Sequence, residues 1–173
     1  MQEFTGRIEV TRSPAEVFAF LADIRNMPAY LPTVRRVEPL AEGDVAVAGE
    51  ADGHAYRDEG WLEVEGDARR MRWGSKGDAD YHGELRVQGA GSRAVVEVRL
   101  HHAPKGAMAR RMQERSGSVD HDMRKALERT LGSIKAACEG GAGAAAAKDT
   151  TRSADDLPDS RPFGSSATLN PDI

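Results

Sequence analysis

The chain has 173 residues, enough for one domain with a real core, and a formal net charge of −4. That charge carries no nucleic-acid footprint, the single cysteine, Cys138, rules out an intrachain disulfide and suits a cytoplasmic setting, and no apolar run approaches the roughly 18 residues of a bilayer span. Hydrophobic residues make up 39% and aromatic residues 5%, a low content that fits an ordinary domain diluted by a polar segment.

The N-terminal "MQEFTGRIEV" lacks the basic and apolar regions of a signal peptide. Its residues 2–11 alternate, with Phe4, Ile8 and Val10 on one face and Glu3, Arg7 and Glu9 on the other, as in a strand. Ser13, Pro14 and Glu16 spell a helix start: an N-cap, a proline at the first helical position and the partner of a capping box. Val17, Phe18, Leu21 and Ile24 continue as an apolar stripe. A second helical turn is expected around Met27–Leu31, between Pro28 and Pro32.

Strands are expected at about 34–41, 44–52, 54–66, 69–75, 80–89 and 92–103, separated by turn signals such as "EGD" at 42–44 and "GAGS" at 89–92. Such short loops favour antiparallel neighbours. Pro104 and Gly106 mark a break before a long amphipathic helix from about Lys105 to Cys138. Met108, Met112, Val119, Met123, Leu127, Leu131, Ile134 and Cys138 form its apolar stripe, and Gly117 is a potential kink. The domain is expected to span 1–139. Residues 140–173, rich in Gly, Ala, Ser, Asp and Pro, have too little apolar surface to offset their ordering entropy and read as a disordered tail.

Three segments, "SPAEVFAFLADIRNMPAYLPTVRRVE", "MRWGSKGDADYHGELRVQGAGSRAVVEVRLHHAP" and "DMRKALERTLGSIKAA", carry a family likeness. Trp73, Ser75, Gly83 and the Ala103–Pro104 pair contribute most of it. The chain resembles the START-like, or SRPBCC, helix-grip superfamily, and within it the polyketide cyclase/dehydrase group, over roughly residues 3–138. The resemblance implies an α+β helix-grip fold. A curved seven-stranded antiparallel sheet would grip the C-terminal helix, with two short helices after the first strand and a ligand cavity between helix and sheet. Relatives bind lipids, hormones, quinones or polyketides, and these motifs identify fold more closely than activity.

Period-two parity places Met71, Trp73 and Ser75 on one face, with Tyr81, Gly83, Leu85 and Val87 and also Val96, Val98, Leu100 and His102 on matching faces. Tyr30, Met71, Trp73, Tyr81, Leu85, Val98, Met108, Met112 and Met123 are the candidate ligand contacts. Methionines suit a ligand of irregular shape, although such a stripe is more often plain core. Trp73 either directs its indole N–H at a ligand oxygen or bonds within the core. Tyr30 either faces the ligand or packs its helical turn. Trp61 shares a face with Glu59 and Glu63 and reads as a surface or edge residue.

His102 is the one histidine with inward parity, though a histidine satisfied by the core or standing in solvent at the strand end is the commoner case; for an enzyme, His102, Tyr81, Trp73 and Tyr30 are the candidate acid/base or oxyanion-positioning groups, His102 and Tyr81 as the catalytic pair. The five histidines lack metal-ligand spacing, so no metal is expected, and no cofactor motif is present. Three functions remain open: binding of a hydrophobic or aromatic small molecule, a polyketide cyclase/aromatase or dehydratase, and an accessory protein with a collapsed cavity. A monomer or homodimer is expected.

Overall fold

The computed structural model describes residues 2–51, 53–76, 81–103 and 116–140. The segment 104–115, with Pro104, Gly106, Met108 and Met112, and the segment 141–173 lie outside the described residues. The described residues form seven strands: β1 (Gln2–Val10), β2 (Val34–Pro39), β3 (Asp44–Ala51), β4 (His54–Glu65), β5 (Arg70–Ser75), β6 (Tyr81–Ala90) and β7 (Arg93–His102). They form one sheet in the order β1-β7-β6-β5-β4-β3-β2, and every neighbouring pair is antiparallel. Sequential hairpins build most of it, as the short turns require. Gly89 and Gly91 take positive φ values of 125° and 61° at the β6–β7 turn.

Helix α1 (Pro14–Ala22) starts as its capping residues dictate, with Glu16 N–H donating to Ser13 Oγ at 3.2 Å. It lays Val17 and Leu21, both essentially inaccessible, into the core beside β6 and β7. A 3₁₀ turn (Ile24–Asn26) leads to the one-turn helix α2 (Met27–Tyr30). Helix α3 (Ser116–Glu139) lies on β1 and against α2, and Gly117 is helical. Gly6 permits the close approach to β1: a Cβ there would stand 2.6 Å from Leu131 Cδ1 and 3.1 Å from Leu127 Cδ2. At its far end Glu139 accepts from Thr11 N–H at 2.8 Å and Thr11 Oγ1 at 2.5 Å, while Lys135 Nζ donates to Glu9 O at 2.8 Å. Helix and sheet are thereby tied together beyond the apolar seam.

The concave face divides into two zones. Under the helices, Phe4, Val10, Leu85, Val96, Val98 and Leu100 pack into one core with Leu21, Met123, Leu127 and Ile134. On the β2–β4 side, Val37, Val45 and Val47 remain half-buried although they also face inward. The convex face is a charged lattice, as expected of an antiparallel sheet with one solvated side. Arg7 and Arg99 both engage Glu97, Arg86 engages Glu84, Arg70 engages Glu65, and Arg72 engages Glu63. Glu97 is buried beneath its two arginines, and the hydrogen bond from Arg7, helped by that from Arg99 and opposed by desolvation, leaves its carboxyl below the usual carboxylate range. Next to the lattice, His82 and His101 stack with ring centroids 4.8 Å apart.

Candidate functional site

The half-buried zone of the concave face encloses a cavity of about 110 Å³. Helix α2 closes one end with Met27 and Tyr30, joined by Leu31 just after it, and α3 contributes Thr130 and Ile134. The sheet supplies Val34 and Val37 from β2, Val45 and Val47 from β3, and Leu62 from β4. Met71, Trp73, Leu85 and Val98 complete the apolar wall. The β4–β5 side adds Tyr56, Asp58, Glu59 and Ser75, where the wall turns polar.

Trp73 occupies its place because its neighbour on β6 is Gly83. The two residues are directly paired, and a Cβ on Gly83 would lie 2.4 Å from Trp73 Cζ2. The indole therefore lies flat across the glycine backbone, between the cavity and the core. Tyr30 is fixed differently: its hydroxyl donates to Leu21 O at 2.8 Å, which leaves the ring as the part that meets the cavity. Burial raises its phenol well above the ordinary range. Ser75 Oγ accepts from Tyr81 N–H at 3.3 Å and closes the turn from β5 to β6.

Of the nine candidate ligand contacts, Tyr30, Met71, Trp73, Leu85 and Val98 converge on this cavity. Tyr81 and Met123 do not border it. Both are in the packed core, because α1 and α3 cover that part of the sheet. His102 is also fully buried away from the cavity, directly opposite Tyr81, with its ring edge-on to the tyrosine at 6.4 Å between centroids. Burial pushes the Tyr81 phenol far up, and its hydrogen bond with Trp73 works in the opposite direction. Trp73, Tyr81 and His102 thus form a contiguous series running from the cavity wall into the core.

Trp61 has the outward parity expected of it, and its ring lies against Gly74, yet the residue is half-buried and borders the cavity. Val37, Val45, Val47, Tyr56, Asp58, Leu62 and Ile134 are wall residues that are not among the candidate ligand contacts. Among the described residues no group of three or more His, Cys, Asp or Glu side chains could hold a metal ion.

Residues 1–139 match the family described as polyketide cyclase / dehydrase and lipid transport. The chain belongs to this family. Its solved structural neighbours share the fold. The di-domain aromatase/cyclase BexL, from the BE-7585A biosynthetic pathway, superposes with a TM-score of 0.66 at 19% identity, over 79% of this chain and 47% of BexL. This chain therefore spans about half the length of that protein. The Zhui aromatase/cyclase of a Streptomyces species gives 0.61 at 17% identity, over 79% and 94% of the two chains. A START superfamily protein from Mycobacterium smegmatis gives 0.61 at 14%, over 82% and 97%. A sequence search of curated proteins found no match. No described helix is long and apolar enough to cross a membrane.

Proposed function

We propose that this protein binds a hydrophobic or aromatic small molecule in the cavity between α2, α3 and the β2–β5 half of the sheet. The observation that carries this is the apolar wall of Met71, Trp73, Leu85, Val98 and Ile134, residues of the core that also border the cavity. Residues 1–139, the extent of the family match, form the binding unit, and 140–173 a tail outside it.

Size refines the reading. A cavity of about 110 Å³ is smaller than the roughly 300–1,000 Å³ of pockets for drug-sized ligands. It is comparable to the roughly 150 Å³ that holds one benzene ring. The resting cavity accepts a single ring or a short chain, and a lipid or polycyclic ligand enters by displacing the wall at α2.

A cyclase or dehydratase activity has one observation in its favour, the Trp73–Tyr81–His102 series. It has less support because Tyr81 and His102 lie behind Trp73, so a substrate in the cavity meets the indole before either acid/base group.

Native mass spectrometry of freshly purified protein, with extraction of whatever is bound, tests the binding reading. A co-purifying lipid, quinone or aromatic compound is the expected result. An empty protein whose melting temperature no lipid or aromatic compound shifts would remove it.

A further inference from the structure

Most polar groups of the cavity wall are committed within the protein. The Tyr30 hydroxyl donates to Leu21 O at 2.8 Å, and the Tyr56 hydroxyl to Thr33 O at 3.3 Å. Ser75 Oγ accepts from Tyr81 N–H at 3.3 Å and donates to Tyr81 O at 3.5 Å. The Trp73 indole N–H, a donor only, is spent on the Tyr81 hydroxyl. Asp58 accepts from Glu59 N–H at 2.9 Å.

Thr130 stands apart. It is 2% exposed and borders the cavity together with Ile134, one turn further along α3. Among the described buried positions of that helix it carries the one hydroxyl, the others being Met, Ala, Leu, Ile and Cys. A hydroxyl has one proton and two lone pairs. Its proton can go to a carbonyl one turn back along the helix. Its lone pairs need a donor, and the backbone N–H groups around it are held by the helix itself. The helix side of the wall supplies no other donor: Met27, Leu31 and Ile134 have none, and the Tyr30 proton is given to Leu21 O. Valine or alanine would fill the position without burying an oxygen.

We infer that Thr130 is the polar contact for the ligand: its oxygen accepts a hydrogen bond from an uncharged hydroxyl, that of a phenol or an alcohol, whose apolar body lies against Met71, Leu85 and Val98. This rests on the binding function proposed above and narrows it to hydroxylated compounds. The group is neutral because a single hydroxyl does not compensate a buried charge. The space of about 110 Å³ leaves room for one ring beside it.

Two compounds of nearly one shape test it: 4-methylphenol and p-xylene, which exchange a hydroxyl for a methyl. Each is titrated into the full chain, as wild type, Thr130→Val and Thr130→Ser, and followed by NMR at the Trp73 indole N–H. The quantity read is the ratio of the two Kd values. In Thr130→Val, 4-methylphenol is expected to lose affinity relative to p-xylene by about 3- to 10-fold, the worth of one hydrogen bond. In Thr130→Ser, which keeps the oxygen, the wild-type ratio is expected to persist. A ratio unchanged in Thr130→Val overturns the inference, and so does a ratio that shifts as far in Thr130→Ser as in Thr130→Val. In either case p-xylene still binds, and the parent reading stands. If neither compound binds the wild type, the parent reading falls and takes the role of Thr130 with it. Should valine disturb the helix, Thr130→Ala gives the same comparison.

Discussion

Gly83→Ala is the sharpest probe of how the cavity wall is built. The new methyl carbon would stand 2.4 Å from Trp73 Cζ2, 2.6 Å from Cε2 and 3.0 Å from Leu100 Cδ2. Ordinary contact begins near 3.4 Å, so the indole must retreat by about 1 Å. Overpacking of this kind costs about 1–3 kcal/mol. Against it stands the about 0.5–1 kcal/mol by which alanine is preferred to glycine inside a strand. The net effect is a loss of up to about 2.5 kcal/mol, or a fall in Tm of up to about 10 °C at about 2–4 °C per kcal/mol for a chain of this size. Because Trp73 borders the cavity, its displacement should also weaken ligand binding. A double-mutant cycle isolates the cause. In a Trp73→Leu background the clashing ring is gone, so Gly83→Ala should become neutral or stabilising, with an interaction energy of about 1 kcal/mol or more. Differential scanning calorimetry of the four proteins measures it. If Gly83→Ala shifts Tm equally in both backgrounds, the indole is not held by the glycine and the account of the wall fails.

Two further outcomes are expected. The Glu139 carboxyl is drawn down to about 2 by Lys135 and by the Thr11 hydroxyl and N–H, from an ordinary value near 4.5, so its contribution to stability is complete above about pH 4.5 and is lost as pH falls through about 2. Glu139→Gln should flatten the dependence of Tm on pH across that window, and an unchanged acid limb in thermal melts would contradict the tether it forms with Thr11. Tyr30→Phe removes the hydroxyl that donates to Leu21 O and leaves a buried carbonyl unmet, so it should cost about 1–3 kcal/mol in chemical denaturation while leaving the ring's cavity surface, and ligand affinity, nearly unchanged.

Most of the architecture was legible in the sequence because each element carries its own periodicity. The alternation in β5, β6 and β7 placed Met71, Trp73, Leu85 and Val98 on one inner face, and the Ser13–Pro14–Glu16 signal placed the start of α1. Depth on that face was not legible. Tyr81, His102 and Met123 have inward parity or sit on the apolar helix stripe, yet they are core, since a period of two reports the face and not which part of it a helix covers. The β2–β4 wall was obscured for a related reason. In "DVAVAGEA" alanine separates the valines and suits either face, and in "HAYRDEGWLEVE" the inward positions include Tyr56, Asp58 and Gly60. Those residues break an apolar pattern because they border space instead of packed side chains.

The charged lattice on the convex face has a consequence for how the strands find one another. The apolar inner face penalises any slip by one residue, since that would turn it outward, but tolerates a slip by two. In the native register of β6 and β7, Glu84 faces Arg99 and Arg86 faces Glu97. Sliding β7 by two residues in one direction sets Glu84 against Glu97, and in the other sets Arg86 against Arg99. Either error juxtaposes like charges, which destabilises a directly opposed pair. Exposed ion pairs add little to the stability of a finished fold. Here their alternation serves as an alignment code, rejecting the misregistered hairpins that hydrophobic patterning alone would accept.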